Sequence, residues 1–225
     1  MSIAHTITRR TMLAGASAGA LLGLSGCASY GGYSLVEAVR RLLMLSADNA
    51  FARLTSVDGF WNSSVARLAL PDVLGRRGAI AEGILTSALF RDRLQHSLNR
   101  FAEAGARRAA PRVTEAVRVI GFANAAALLR GSPGGATAAL RQEMGRSLVE
   151  AMIPALHEVL VAAQDPLVAQ TIGALAGVDI DGVATSLADS ADNAIWAQMA
   201  EEERAIRANP EATRDPVLIA ALKVL

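Results

Sequence analysis

The chain has a single cysteine, Cys27, so it can close no internal disulfide and build no cysteine-rich zinc site. Only three histidines occur, His5, His96 and His157, and none is spaced from another as HExxH metal sites require. Aromatic residues are 4% of the sequence, and Lys223 is the only lysine. An excess of either charge is missing too. Beyond residue 26 there are 20 basic and 21 acidic residues, which excludes the basic excess of a nucleic-acid-binding surface. The same balance provides no electrostatic pull toward anionic lipid headgroups. Nothing in this composition calls for a cofactor.

What is present is alanine, leucine and arginine in quantity, within a chain that is 52% hydrophobic. Alanine and leucine are strong helix formers, and the length left beyond residue 26 suffices for one domain with its own core. The N-terminus reads differently. Arg9-Arg10 precedes an uncharged run, 11–26, that ends in Leu24-Ser25-Gly26-Cys27. The apolar centre of that run, 12–24, has the length of a signal-peptide core and is short for a membrane span. Thr8-Arg9-Arg10-Thr11-Met12-Leu13 resembles a twin-arginine export signal, and Leu24-Ser25-Gly26-Cys27 resembles a bacterial lipobox. The resemblance implies cleavage after residue 26 and acylation of Cys27, with 27–34 as a lipidated tether. The rival reading is an uncleaved anchor, in which Gly15, Gly19 and Gly23 show helix-pairing spacing. Gly15-Ala16-Ser17-Ala18-Gly19 matches a hydrolase elbow, but that motif works only between a strand and a helix of a folded sheet.

From residue 35 the pattern is helical. Leu35, Val39, Leu42 and Leu43 recur at helical spacing to about residue 56, where Asp58-Gly59 breaks it. Residues 58–71 read as the one irregular or extended segment, closed by Pro71. A helix over about 80–109 carries a stripe of Leu94, Leu98, Phe101, Ala102 and Gly105, and Pro111 is expected to open the next. Gly131-Ser132-Pro133 reads as stop, cap and start; the helix behind it is expected to run to about 163, kinked at Pro154 and central over 148–161. Asp165-Pro166, Asp181 and Asp215-Pro216 are further expected helix starts, and Asn209-Pro210 a stop. The expected fold is all-α: one bundle of about seven helices over 35–225.

Several stretches then fall into a recognisable order. They are Asp58-Gly59-Phe60-Trp61-Asn62 with Val65-Ala66-Arg67-Leu68-Ala69-Leu70-Pro71, Leu98-Asn99-Arg100-Phe101-Ala102-Glu103-Ala104, Leu129-Arg130-Gly131 with Ala136-Thr137, and 201–210 from Glu201-Glu202-Glu203 to Asn209-Pro210. In them the chain resembles the bacterial "domain of unknown function 4197" family of exported envelope proteins. The resemblance covers most of 35–225. It departs from the family in an alanine-rich stretch after Thr137 and at Asp192-Asn193-Ala194. It implies an envelope location and no known activity, so no catalytic residue or cofactor is carried over.

Six residues form the candidate interaction surface: Asp58, Asn62, Arg67, Arg130, Glu202 and Arg207. The first three flank the irregular segment, and loops on rigid scaffolds often carry function. The others lie in the resembling stretches. Phe60 and Trp61 read as plugs closing the bundle end. Glu203 and Arg207 read as an i,i+4 pair on an exposed face. His96 reads as solvated and His157 as a core or interface histidine. The glycine-rich 132–137 stretch reads as helix capping, with an anion site as the alternative. Asp179-Ile180-Asp181-Gly182 lacks the remainder of a calcium loop. The function this composes is a lipid-anchored protein on the periplasmic side of a bacterial membrane, the outer before the inner, that binds an envelope protein. The alternatives are a carrier or sensor of an apolar ligand such as a lipid, and a hydrolase with no nameable site.

Overall fold

The computed structural model describes residues 29–30, 33–70, 88–162 and 180–224. The export signal, the lipobox with Cys27, Pro71, and the helix starts expected near 80 and at Asp165-Pro166 lie outside the described residues. Described residues are helical except for loops and one hairpin. Its strands β1 (Ser29–Tyr30) and β2 (Tyr33–Ser34) are antiparallel, with Ser29 opposite Ser34 and Tyr30 opposite Tyr33. The stretch read as a tether thus holds a hairpin that leads directly into the first helix.

Eight α-helices follow among the described residues, close to the expected seven: α1 (Leu35–Leu54), α2 (Gly59–Asn62), α3 (Ala88–Val119), α4 (Ala125–Arg130), α5 (Gly135–Met144), α6 (Ser147–Val161), α7 (Ile180–Ala208) and α8 (Pro216–Val224). The fold is an all-α bundle. The core lies where α1, α3, α6 and α7 pack on one another. α1 starts because the Ser34 hydroxyl accepts the Glu37 amide at 3.1 Å, satisfying one of the free N–H groups of the first turn. Its Val39, Leu42, Leu43 and Leu54 are fully buried, each contributing about 1.5–3 kcal/mol of apolar burial. α6 is central as its composition implies, meeting both α3 and α7. No helix among the described residues is long and apolar enough to cross a membrane.

Three expected boundaries are corrected. α3 runs through Pro111 instead of breaking there. Proline removes the bond to the Arg107 carbonyl, but Arg107 and Pro111 both lie on the exposed face, where water replaces it. The helix expected to run unbroken to about 163 is split at Gly145, whose φ of 54° and ψ of −122° suit only glycine. Ser132-Pro133 does not cap and open α5. Those residues begin a tight turn in which the Gly135 amide donates to the Ser132 carbonyl at 2.9 Å and Gly134 takes φ 90°, ψ −4°. This is type II geometry, with proline and glycine at its two central positions. α7 stops at Asn209 as expected, a 3-10 turn (Pro210–Thr213) follows, and the Asp215 carboxylate caps α8 by accepting the Val217 amide at 2.8 Å.

Candidate functional site

The end of α1 turns sharply into α2. The Thr55 hydroxyl and amide both donate to the Phe51 carbonyl, and the Ser56 hydroxyl donates to Arg53. Asp58 then adopts left-handed backbone (φ 58°, ψ 26°), which short polar side chains tolerate. Gly59 must be glycine for a different reason: a Cβ there would overlap the Arg53 carbonyl oxygen and lie 2.8 Å from that of Leu54. The turn places Phe60 wholly inside the core. The plug reading therefore holds for Phe60. Trp61 stays half-buried, edge-on to His96 with ring centroids 4.9 Å apart and under the Arg67 guanidinium at 4.3 Å. His96 also meets Asp58, Nε2 to Oδ1 2.9 Å, so it is not the merely solvated residue expected.

Behind the turn, α3 supplies the anchor for 63–70. Buried Asn99 accepts the Leu68 amide at 2.8 Å and donates to the Leu68 carbonyl at 3.0 Å, doing for that strand-like stretch what a neighbouring strand would do. Gln95 donates to the same carbonyl. Glu103 lies buried against the turn, and its Oε1 has no hydrogen-bond partner. Burial pushes its carboxyl upward and the nearby Asp58 adds to this; Arg107, Arg100 and the Gly59 amide pull back without cancelling it.

A cleft of about 570 Å³ opens between this turn and the C-terminal third of α7. Its α1–α2 wall includes Arg53, Val57, Asp58, Asn62 and Val65; its α7 wall includes Gln198, Glu201 and Glu202. The floor is a relay of side chains. Ser63 Oγ donates to Gln198 Oε1 at 2.9 Å, Gln198 Nε2 donates to Glu202 Oε1 at 3.0 Å, and Arg53 Nε reaches the same oxygen at 2.7 Å. The Glu202 side chain is only 8% exposed, whereas Arg53 is 69% exposed.

One residue further along α7, on a different face, a second arrangement serves the fold. Glu203 accepts the Ala136 and Thr137 amides at 3.3 and 2.8 Å and the Thr137 hydroxyl at 2.7 Å. The N-terminus of α5 does hold an anion, and it is this carboxylate. Arg207 pairs with Glu203 at 2.8 Å and donates to the Leu128 and Leu129 carbonyls at the end of α4. The i,i+4 pair exists, but the expectation of an exposed face is corrected: side-chain exposure is 0% for Glu203 and 9% for Arg207. Two helix ends of opposite dipole converge there and enclose the pair.

Of the six candidate surface residues, Asp58, Asn62 and Glu202 line this cleft. Arg67 sits beside it on Trp61, donating to the Trp61 carbonyl. Exposed Arg130 and enclosed Arg207 belong to the α4–α5 turn instead. Sequence reasoning missed Arg53, Gln198 and Ser63, which no motif marks out. The i,i+4 spacing of Gln198 and Glu202 was the one available signal. His157 is corrected as well: it is 45% exposed and lies 3.4 Å from Asp181, not in the core. Asp181 itself is the second residue of α7, and the residue preceding that helix is outside the described set. No three potential metal ligands cluster among the described residues.

The fold and the cleft define an all-α bundle domain that presents a polar recess, built from one tight turn and one long helix, at the far end of its first helix. The family model described as "protein of unknown function (DUF4197)" matches residues 29–222, and the chain belongs to that family. No curated protein and no solved structure matches it.

Proposed function

We propose that this is a lipid-anchored protein on the periplasmic side of a bacterial membrane, the outer membrane before the inner, which acts by docking another envelope protein in the α1–α2/α7 cleft. The observation that carries this is the cleft's rim. Val57 is 79% and Val65 42% exposed, and both border a floor of engaged polar groups. Exposed apolar side chains beside an enclosed, already positioned carboxylate offer a partner both apolar area and a charged anchor. Position supports the same reading. Ser29, two residues beyond Cys27 in sequence, lies opposite Ser34 at the start of α1, so an acyl group on Cys27 would tether the domain by that end. The twenty residues of α1 then hold the cleft about 30 Å away, facing off the bilayer.

The apolar-carrier reading finds less support. The small residues of α3 serve close approach: Ala102, Ala106 and Ala109 are fully buried, and a Cβ on Gly105 would lie 3.3 Å from Leu156. A photo-crosslinking residue at Val57 or at Val65 in cells tests the docking reading. The same discrete adduct is expected from both. It should be absent from Val119, which is equally exposed but lies beside Ile120, whose carbonyl meets Arg40 near the start of α1. Adducts of equal yield at all three positions would refute it.

A further inference from the structure

The docking reading leaves the chemistry of the docked segment open, and the cleft itself narrows it. We propose that the Glu202 carboxylate is the receptor for a basic side chain of the partner, and that Arg53 is a stand-in cation which that side chain displaces. This rests on the docking reading of the same cleft. Charge complementarity commits the occupant. The lining carries Asp58, Glu201 and Glu202 against Arg53; Arg204 bridges Glu201 from beside the cleft, and the balance still leaves one negative charge, which repels an incoming acid and attracts an incoming cation.

The two halves of the Arg53–Glu202 pair are held very unequally. Glu202 is fixed from behind by Gln198, itself fixed by Ser63, and is almost fully enclosed. Such a carboxylate is preorganised, and the ordering cost of using it has been met in folding. Arg53 arrives on a long, mostly exposed arm at the last turn of α1 and can swing into water at little cost once another cation takes its place. Exchange of one guanidinium for another keeps the enclosed carboxylate paired throughout. Val57 and Val65 then meet small apolar residues flanking the partner's basic side chain.

The test uses the purified full chain in detergent micelles and two peptides, acetyl-Val-Arg-Val-amide and acetyl-Val-Glu-Val-amide, followed by amide chemical shifts of Gly59, Asn62 and Ser63. The arginine peptide should bind weakly and saturably, and the glutamate peptide not at all. Glu202→Gln should abolish the shifts. Arg53→Gln, which removes the competitor but keeps a donor, should tighten binding about two- to fivefold, the range of a pair with one exposed member. A loss of binding in R53Q would overturn the proposal, since Arg53 would then be part of the receptor. So would equal binding of both peptides, or binding that survives E202Q. If neither peptide binds while the Val57 and Val65 adducts persist, the cation receptor falls and the docking reading stands. If the adducts vanish too, both fall. A concentration-dependent dimer lost in E202Q would show that the basic group comes from a second copy, which also overturns a partner protein as its source.

Discussion

Replacing Glu203 by alanine should be among the most damaging single changes in the molecule. The carboxylate is fully enclosed and accepts three hydrogen bonds from α5, while holding Arg207 against the end of α4. Truncation leaves an enclosed guanidinium without its counter-charge and two helix-start amides without an acceptor. Breaking an enclosed pair from one side costs about 3–5 kcal/mol, mostly through the charge left behind. For a domain of this size that lowers the melting temperature by roughly 10 °C. Arg207→Met should cost less, because Glu203 keeps the Ala136 and Thr137 donors. The double variant should lose clearly less than the two single losses added, since the stranded charge is gone. Far-UV circular dichroism through urea and thermal unfolding at neutral pH measures all four proteins. A loss below about 1 kcal/mol for E203A, or strict additivity in the cycle, would refute the reasoning.

Gly59→Ala should cost about 1–3 kcal/mol in urea unfolding, because its methyl group meets backbone carbonyls that cannot swing aside, and it should also weaken crosslinking from Val57. Glu103→Gln should leave neutral-pH stability unchanged or raised, because it removes an enclosed charge whose Oε1 lacks a partner. Burial raises the folded-state pKa of Glu103, so wild type should gain stability relative to E103Q as pH falls through that raised value toward the ordinary glutamate range; an opposite slope in paired unfolding curves would refute this. Asp215→Ala removes the α8 cap and should cost about 1 kcal/mol at neutral pH. Burial alone would raise the Asp215 pKa, but Arg41 and the Leu218 and Val217 amides outweigh it and hold it low. The deficit of the variant should therefore be complete above pH about 4 and fade as acid protonates Asp215 in the folded state.

Much of the scaffold was legible because it rests on local physics. The 3.6-residue recurrence of Val39, Leu42 and Leu43 marks α1, and Asp215-Pro216 marks α8 through a side chain two residues from the amide it caps. Leu94, Leu98 and Ala102 line the buried face of α3 as their spacing requires. Where reading failed, the deciding contact was remote. Pro111 looks like a helix start until the exposure of its face is known, and Gly145 looks like any helical glycine until its φ is known. Glu203 and Arg207 have the spacing of a surface pair, and only the arrival of 128–137 from nearly seventy residues away encloses them. The candidate site was half legible. Asp58 and Asn62 stood out by their broken pattern, while Arg53, Gln198 and Ser63 needed the approach of α1 to α7 to gain any meaning.

The ion pair of Arg41 with Asp215, Nη1 to Oδ2 3.0 Å, fastens α8 to the opening turns of α1. Both ends of the described domain are thereby gathered on one side, with the hairpin. A reporter fused behind α8 would therefore be carried beside the hairpin, about the length of α1 from the cleft. Such a fusion would leave the cleft clear, so whatever the recess takes up would reach it unhindered.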